Sequence, residues 1–297
     1  MAIFFALPGN EHLASNLASL TRGEIGQLEL RRFPDGETYV RISTEVSRKD
    51  VFVVCTLARP DEQFIPIAFV SAAILEHGAQ RLQLIAPYLP YMRQDRIFHA
   101  GEVLTSRIFA ELLQQHFHGL ITVDPHLHRH RSLDEVYDIP STIIHAAPLL
   151  ASWICDNVPD PVVIGPDAES TQWVESIAKS AAAPWTVFAK ERKGDRRIVM
   201  KAPGIEQFRG RTPVLVDDII SSGSTVRMAL QILKTHNLGS AYCLAVHGLC
   251  TDRAARQIRD RTLGFFTTNS VANRNAALDV APLIAASLIS AAANRAE

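Results

Sequence analysis

The chain predicts an α/β fold of two lobes, each a largely parallel sheet flanked by helices, and three observations lead there. Apolar, β-branched runs alternate with helical patterns along the whole length. The connections between them are short, which implies parallel strands covered by helices on both faces. The pattern runs through the chain twice, with Pro140 and Pro148 near its middle. The boundary is therefore set near residue 146, giving one domain over 1–146 and a second over 147–297.

Taken in order, strands are expected at 3–7, 51–55, 82–86, 119–123, 162–165, 214–216 and 241–246. Helical spacing of apolar residues appears at 11–20, 64–77, 106–117, 171–180 and 225–236. The Ala-rich tail after Leu278 is long enough for a terminal helix. Hydrophobic residues make up 47% and charged residues 21% of the 297 residues, which suits a soluble protein with two substantial cores. A formal net charge of −1 gives no basis for a nucleic-acid partner. Cys55, Cys155, Cys243 and Cys250 are scattered and form no C-x-x-C pair. They read as free thiols in a reducing, cytoplasmic setting. The first residues lack the basic leader of a signal peptide, and apolar stretches are broken by Pro or charge before membrane length. No membrane partner is expected.

Ligands of open α/β sheets bind beyond the carboxyl ends of the strands, so the residues following each strand carry the search for function. The most informative segment is 212–225. Val214, Leu215 and Val216 form a buried strand, and Asp217 and Asp218 stand where it emerges. Ser221, Ser222, Gly223, Ser224 and Thr225 then supply a small-residue turn and a helix start. Unpaired N–H groups and the helix dipole make such a turn an anion site. Two acids beside a phosphate cradle suit a ligand that also presents hydroxyls or a metal ion, as a phosphorylated sugar does. An ordinary strand-to-helix turn with a Ser cap is the plainer alternative.

Five further segments have the same placement. Asp35-Gly36 reads as a tight turn before an extended segment with Val40 and Ile42. Here Phe33 suits stacking on a flat base, with Asp35 and Glu37 accepting from amino or hydroxyl groups; a plain hairpin is the alternative. After the strand at 82–86, Pro87 and Pro90 hold the chain extended and Arg93, Gln94, Asp95 and Arg96 crowd one loop. A guanidinium there can grip phosphate bidentately, or pair locally with Asp95. His126, His128 and His130 alternate, but Pro125 ends the strand before a three-His metal face can form. A single His near phosphates remains, against an ordinary loop His. Asp167 lies just past the strand at 162–165, placed for Mg²⁺ or a sugar hydroxyl, or as a helix cap. Lys190, Arg192, Lys193, Arg196 and Arg197 surround Gly194 in a basic loop, suited to a flap over polyphosphate or to a solvated hairpin.

These segments, in this order and spacing, resemble the ribose-phosphate pyrophosphokinase family over nearly the whole chain. The resemblance implies two phosphoribosyltransferase-like domains. It implies Mg²⁺-dependent transfer of pyrophosphate from ATP to the C1 hydroxyl of ribose 5-phosphate, giving phosphoribosyl pyrophosphate and AMP. By that likeness Phe33, Asp35, Gly36 and Glu37 hold the adenine, and Arg93, Gln94, Asp95 and Arg96 serve ATP. His126 and Asp167 resemble the Mg²⁺-associated residues. Lys190 and Arg192 match the transition-state cations. Asp217 and Asp218 face the ribose, and the turn from Ser221 to Thr225 cradles its 5-phosphate. ATP and ribose 5-phosphate are the implied partners, and the apolar stretch 65–70 is interface material for a homo-oligomer. Two departures stand out. Many members carry an acid at the position of Ser221 and a Thr at Ser222. The basic stretch of phosphate-activated, ADP-inhibited members is missing after Arg96, where the chain runs through Ile97 to Glu102. The chain thus resembles a divergent, class III-like branch. A phosphoribosyltransferase and a non-catalytic regulatory subunit are the competing readings.

Overall fold

The computed structural model describes residues 1–297 except 98, 128, 129, 194–196, 203 and 295–297, with backbone alone for 169, 190–193 and 197–200. The chain forms two compact units, Met1–His145 with Ala281–Glu297, and Ala146–Val280.

The first unit contains β1 (Ile3–Ala6), α1 (Glu11–Thr21), β2 (Glu24–Ile25), β3 (Leu28–Arg32), β4 (Thr38–Ile42) and β5 (Asp50–Val54). Next come α2 (Pro60–Glu76), β6 (Arg81–Ala86), α3 (Thr105–Gln114), β7 (Leu120–Val123) and β8 (Ser141–Ile144). The second unit runs through α4 (Ala147–Asn157), β9 (Pro161–Gly165), α5 (Thr171–Ser180), β10 (Trp185–Val187), β11 (Ala189–Lys193) and β12 (Arg197–Lys201). It continues with β13 (Thr212–Ile220), α6 (Ser224–Thr235), β14 (Tyr242–Gly248), α7 (Asp252–Arg259), β15 (Gly264–Thr268) and β16 (Ala276–Leu278). The terminal helix is α8 (Ala281–Ala293).

Each unit is built on a six-stranded sheet, ordered β2-β1-β5-β6-β7-β8 in the first and β10-β9-β13-β14-β15-β16 in the second. The pairings within both sheets are parallel. This agrees with the fold class read from the alternation. The central strands are apolar on both faces because helices cover both: Val51, Val53, Val54, Leu82, Leu84 and Ile85 are fully buried, as are Val162, Val163, Ile164 and Val214.

One assignment is corrected. The terminal helix was expected with the second domain, but α8 packs on α1 in the first unit. Its buried residues Ala281, Ile284, Ala285 and Leu288 fall at i, i+3, i+4 and i+7, one stripe of a helix. Leu13, Ala14, Leu17 and Ala18 form the buried face of α1. Order along the chain does not say which sheet needs a cover, and the stripe on α8 serves the first.

Both sheets reverse direction of growth once, between β1 and β5 and between β9 and β13. The carboxyl ends of the strands at such a reversal leave a crevice, the favoured ligand position in open parallel sheets.

Candidate functional site

In the second unit, β13 pairs with β9 only as far as Leu215 opposite Ile164, yet continues beside β14 to Ile220 opposite Gly248. Asp217 and Asp218 therefore lie within the strand but beyond the end of β9, at the crevice. The sequence reading ended this strand at Val216; pairing with β14 carries it further. Both acids are partly exposed, between buried Val216 and buried Ile220. The Asp218 N–H donates to Asp217 Oδ1 (3.0 Å) and the Ile219 N–H to Asp218 Oδ1 (2.7 Å). Burial above all, then the neighbouring Asp218 and Asp167 carboxylates, holds the Asp217 carboxyl well above the usual carboxylate range. Asp167 thus belongs to the same electrostatic cluster. It leaves β9 at Gly165, where a Cβ would lie 2.4 Å from Ser170 Oγ and 2.6 Å from Val174. Asp167 is not the cap of α5: a 3₁₀ turn over Ala168–Ser170 intervenes, and the Ser170 hydroxyl donates to the Asp167 carbonyl (2.7 Å).

The turn that follows is shaped by its own polar groups. Gly223 has φ +69°, and a Cβ there would meet Ile258 Cδ1 of α7 at 3.0 Å. The Ser222 and Ser224 hydroxyls are 2.9 Å apart, and the Ser224 N–H donates to Ser222 Oγ (3.3 Å). Arg227 donates Nη1 to the Ser222 carbonyl (2.9 Å). Ser221 and Thr225 are partly exposed, Ser222 and Ser224 exposed. The first-turn N–H groups of α6 follow at once, so hydroxyls, amides and carboxylates occupy one end of one sheet. Such a constellation can accept from sugar hydroxyls and donate to a phosphate.

At the corresponding reversal of the first unit a side chain ties the strand ends together. Asn10 accepts from the Thr56 N–H (2.8 Å) and donates to the carbonyls of Leu7 (3.2 Å) and Pro8 (3.3 Å), stapling the ends of β1 and β5. The polar residues here lie on loops after β6 and β7 instead. Tyr91, at φ +63°, donates its hydroxyl to Asp61 and packs on Phe109 at 4.9 Å. That hydrogen bond pushes its phenol up to about 12. Gln94 bonds to the chain that follows, donating to the Val103 carbonyl (3.3 Å) and accepting from Thr105 Oγ1 (2.9 Å). Asp95 is buried, whereas Arg93 and Arg96 face solvent. The loop therefore exposes Arg93 and Arg96, while Gln94 ties it to Val103 and Thr105.

After β7, Asp124 is buried at φ +32°, and His145 donates Nδ1 to its Oδ1 (3.0 Å). That bond raises the imidazole above its usual range, with partial burial opposing. His126 follows, partly exposed. His130 contacts Glu135 (3.1 Å), and His128 lies outside the described residues. Among the described residues no group of three or more His, Cys, Asp or Glu is placed to hold a metal.

The segment around Phe33 is a hairpin of β3 and β4. Gly36 N–H donates to the Phe33 carbonyl (2.9 Å), with Pro34 second in the turn and Gly36 at φ +94°. This is a type I turn closed by a left-handed residue. The Glu37 N–H donates to Asp35 Oδ1 (3.1 Å), and both acids remain exposed. Phe33 meets Tyr39 edge to face at 6.0 Å and is itself 39% exposed.

The basic segment forms an antiparallel hairpin, β11 with β12, placing Lys190 opposite Met200 and Arg192 opposite Ile198. The side chains of Lys190, Arg192, Lys193 and Arg197, and all of Arg196, lie outside the described part.

Sequence reasoning missed the Asn10 staple and the Asp124–His145 pair. The signal for the pair was an acid directly after a strand and before Pro125, but its partner follows β8, whose Ser-Thr-Ile-Ile has only two apolar residues and no apolar run to read. It also missed the buried polar knot where His247 meets Ser270 Oγ (2.8 Å) and Thr268 Oγ1 donates to the Val246 carbonyl (2.8 Å).

Two family models cover most of the chain. The N-terminal domain of ribose phosphate pyrophosphokinase matches residues 2–116, and the phosphoribosyl transferase domain matches 132–281. A ribose-phosphate pyrophosphokinase of Methanopyrus kandleri is 32% identical over 277 residues, 92% of this chain and 94% of that one. Its counterpart in Thermoplasma acidophilum is 30% identical over 268 residues, 90% and 92% of the two chains. The crystal structure of phosphoribosylpyrophosphate synthetase from Mycobacterium smegmatis superposes with a TM-score of 0.85, covering 99% of each chain at 24% identity, a likeness of fold.

Proposed function

Because the chain belongs to the ribose-phosphate pyrophosphokinase family, we propose that it transfers the pyrophosphoryl group of ATP to the C1 hydroxyl of ribose 5-phosphate. The observation that carries this reading is the cluster of Asp167, Asp217 and Asp218 beside the Ser221–Thr225 turn at the crevice of one sheet. A sugar phosphate matches both halves of it. Asp217 and Asp218 accept from the ribose hydroxyls, and Ser221, Ser222, Gly223, Ser224 and Thr225 bind the 5-phosphate with hydroxyls and amides.

The nucleotide falls to the first unit. Phe33 stacks on the adenine, with Asp35, Gly36 and Glu37 at its edge. Arg93 and Arg96 meet the phosphates, while Gln94 and Asp95 hold their loop. The attacking oxygen belongs to the sugar, so the protein supplies position and charge rather than a nucleophile. Lys190 and Arg192 meet negative charge as it builds on the transferring group.

Asp167 supplies a hard carboxylate oxygen, the kind of donor that Mg²⁺ takes, and the crowding that raises Asp217 favours a cation nearby. Asp167 in the second unit would hold it, and His126 in the first is assigned to Mg²⁺ by the family likeness alone; bound with ATP, the ion neutralises charge on the phosphate oxygens. Exposed Ile65 and Phe69 on α2, with Ile108 and Leu112 on α3, support a homo-oligomer. Four free cysteines support a reducing, cytoplasmic setting. Among the described residues no helix is long and apolar enough to cross a membrane.

The test is direct. Purified protein given Mg²⁺, ATP and ribose 5-phosphate releases AMP and phosphoribosyl pyrophosphate in equal amounts. Folded protein that releases no AMP is a regulatory subunit. Protein that instead consumes phosphoribosyl pyrophosphate with a free base is a phosphoribosyltransferase.

A further inference from the structure

Arg31 has no part in the reading above, yet its guanidinium lies against the ring proposed to carry the base. Its Cζ sits 4.7 Å from the Phe33 centroid and 4.1 Å from the Tyr39 centroid. Tyr39 is its cross-strand partner in the hairpin, and Phe33 follows two residues later on the same face. The two rings stand at 86° to one another. Three side chains thus form a corner, with the cation in contact with both aromatic faces. Among the described residues Arg31 pairs with Glu29, through Nε at 3.4 Å, with both side chains about half exposed. An exposed ion pair of that length contributes little. The ring contacts are the stronger reason for the cation's place.

We infer that Arg31 is a positioning residue for the nucleotide: it holds the Phe33 ring in the orientation that receives the base. This rests on the reading of Phe33 as the base platform. An aromatic side chain at a hairpin tip has freedom about two torsions, and stacking on it requires that freedom to be lost. Arg31 covers one face of Phe33 and Tyr39 abuts it edge to face, so the ring is ordered before the nucleotide arrives and its remaining exposed surface is what a base can cover. Pre-ordering a contact lowers the entropy lost on binding without adding a contact to the ligand. A ring with a cation on one face also has less electron density on the other, which favours an electron-rich purine there.

Steady-state kinetics of the full chain with Arg31→Ala, Arg31→Lys, Phe33→Ala and the Arg31→Ala/Phe33→Ala double variant test this. Arg31→Ala is expected to raise KM for ATP about three- to five-fold, the scale of one exposed cation–π contact. Its kcat and its KM for ribose 5-phosphate shift by less than about two-fold. Arg31→Lys keeps the charge and recovers part of the loss. Phe33→Ala raises KM for ATP more, and the double variant is no worse than Phe33→Ala alone, because Arg31 acts through that ring. If Phe33→Ala weakens ATP but Arg31→Ala does not, the inference on Arg31 falls and the platform stands. If the two losses multiply in the double variant, Arg31 touches the nucleotide itself and the positioning role is overturned. If Phe33→Ala leaves KM for ATP unchanged, the platform reading falls and takes this inference with it.

Discussion

A carboxylate is expensive to keep where water is scarce and other carboxylates are near, and Asp217 has both troubles. Burial is the larger, followed by Asp218 and Asp167. Its ordinary value is 3.8, and in the fold it is raised well above that. Below 3.8 folded and unfolded chains both carry the proton. Between 3.8 and the raised value only the folded chain does, so stability falls as pH rises through that window. The charge is therefore a burden on the empty fold, which the proposed sugar hydroxyls and cation relieve. Asp217→Asn keeps the shape and removes the burden. Without ligand, at pH 7–8, the variant is expected to melt roughly 2–4 °C higher, the shift that about 1 kcal/mol gives a domain of this size. Its KM for ribose 5-phosphate should rise at least about ten-fold while that for ATP changes little, since losing a charged hydrogen-bond acceptor costs about 1.5–3 kcal/mol. A lower melting temperature would mean that Asp217 is structural; a larger effect on ATP would mean that the two ligands have been exchanged.

Single residues matter here because elements place them. The turn between β13 and α6 depends on Gly223, whose backbone is left-handed and whose missing Cβ lets Ile258 of α7 approach. Gly223→Ala is expected to cost about 1–2 kcal/mol through the positive φ, together with the contact at 3.0 Å. The displaced turn should weaken ribose 5-phosphate more than ATP, as separate KM measurements will report. A variant with wild-type melting and kinetics would dissociate this turn from the phosphate. The β11–β12 hairpin carries a different expectation. Lys190→Ala should lower kcat on the order of 10²–10³ while both KM values stay within a few-fold, as for a cation that acts only on transition-state charge. A large rise in KM with normal turnover would make the hairpin a binding element instead.

At the scale of the molecule, the chain's last helix returns to the sheet that its first residues build. Ile284, Ala285 and Leu288 bury the stripe of α8 in the unit that begins at Met1. Ile284→Ala should therefore destabilise the first unit by about 2–4 kcal/mol and leave the second untouched. Calorimetry of the variant, beside a fragment spanning 146–280, checks this: the fragment should melt cooperatively at the temperature of the undisturbed transition. A fragment that does not fold, or a variant that shifts both transitions alike, would show that the two units depend on the terminal helix together.

How much was legible follows from the range of the forces involved. Alternation of apolar runs with helical spacing reports which local segments can bury a face, so the apolar strands β1, β5, β6, β7, β9, β13 and β14 were readable, as were α1, α2, α3, α5 and α6, whereas α4 was not read although Ala147, Leu150, Ala151 and Ile154 form a stripe. Short or polar elements were not: β16 has three residues, and α7 buries only Ala255 and Ile258. Acids after strands and a Ser/Gly turn before a helix were also visible, because strand ends and helix starts are local events. The sequence alone thus determined the parallel two-lobed fold and nominated Asp217, Asp218 and the turn that follows. Only the tertiary structure decided that β9 stops short of those acids and that Asn10 ties the ends of β1 and β5. It alone tied Gln94 to Val103 and Thr105, joined Asp124 to His145 and brought α8 home to the first unit. Each of these joins groups far apart in the chain, and such pairings depend on which surfaces meet, which no local pattern encodes.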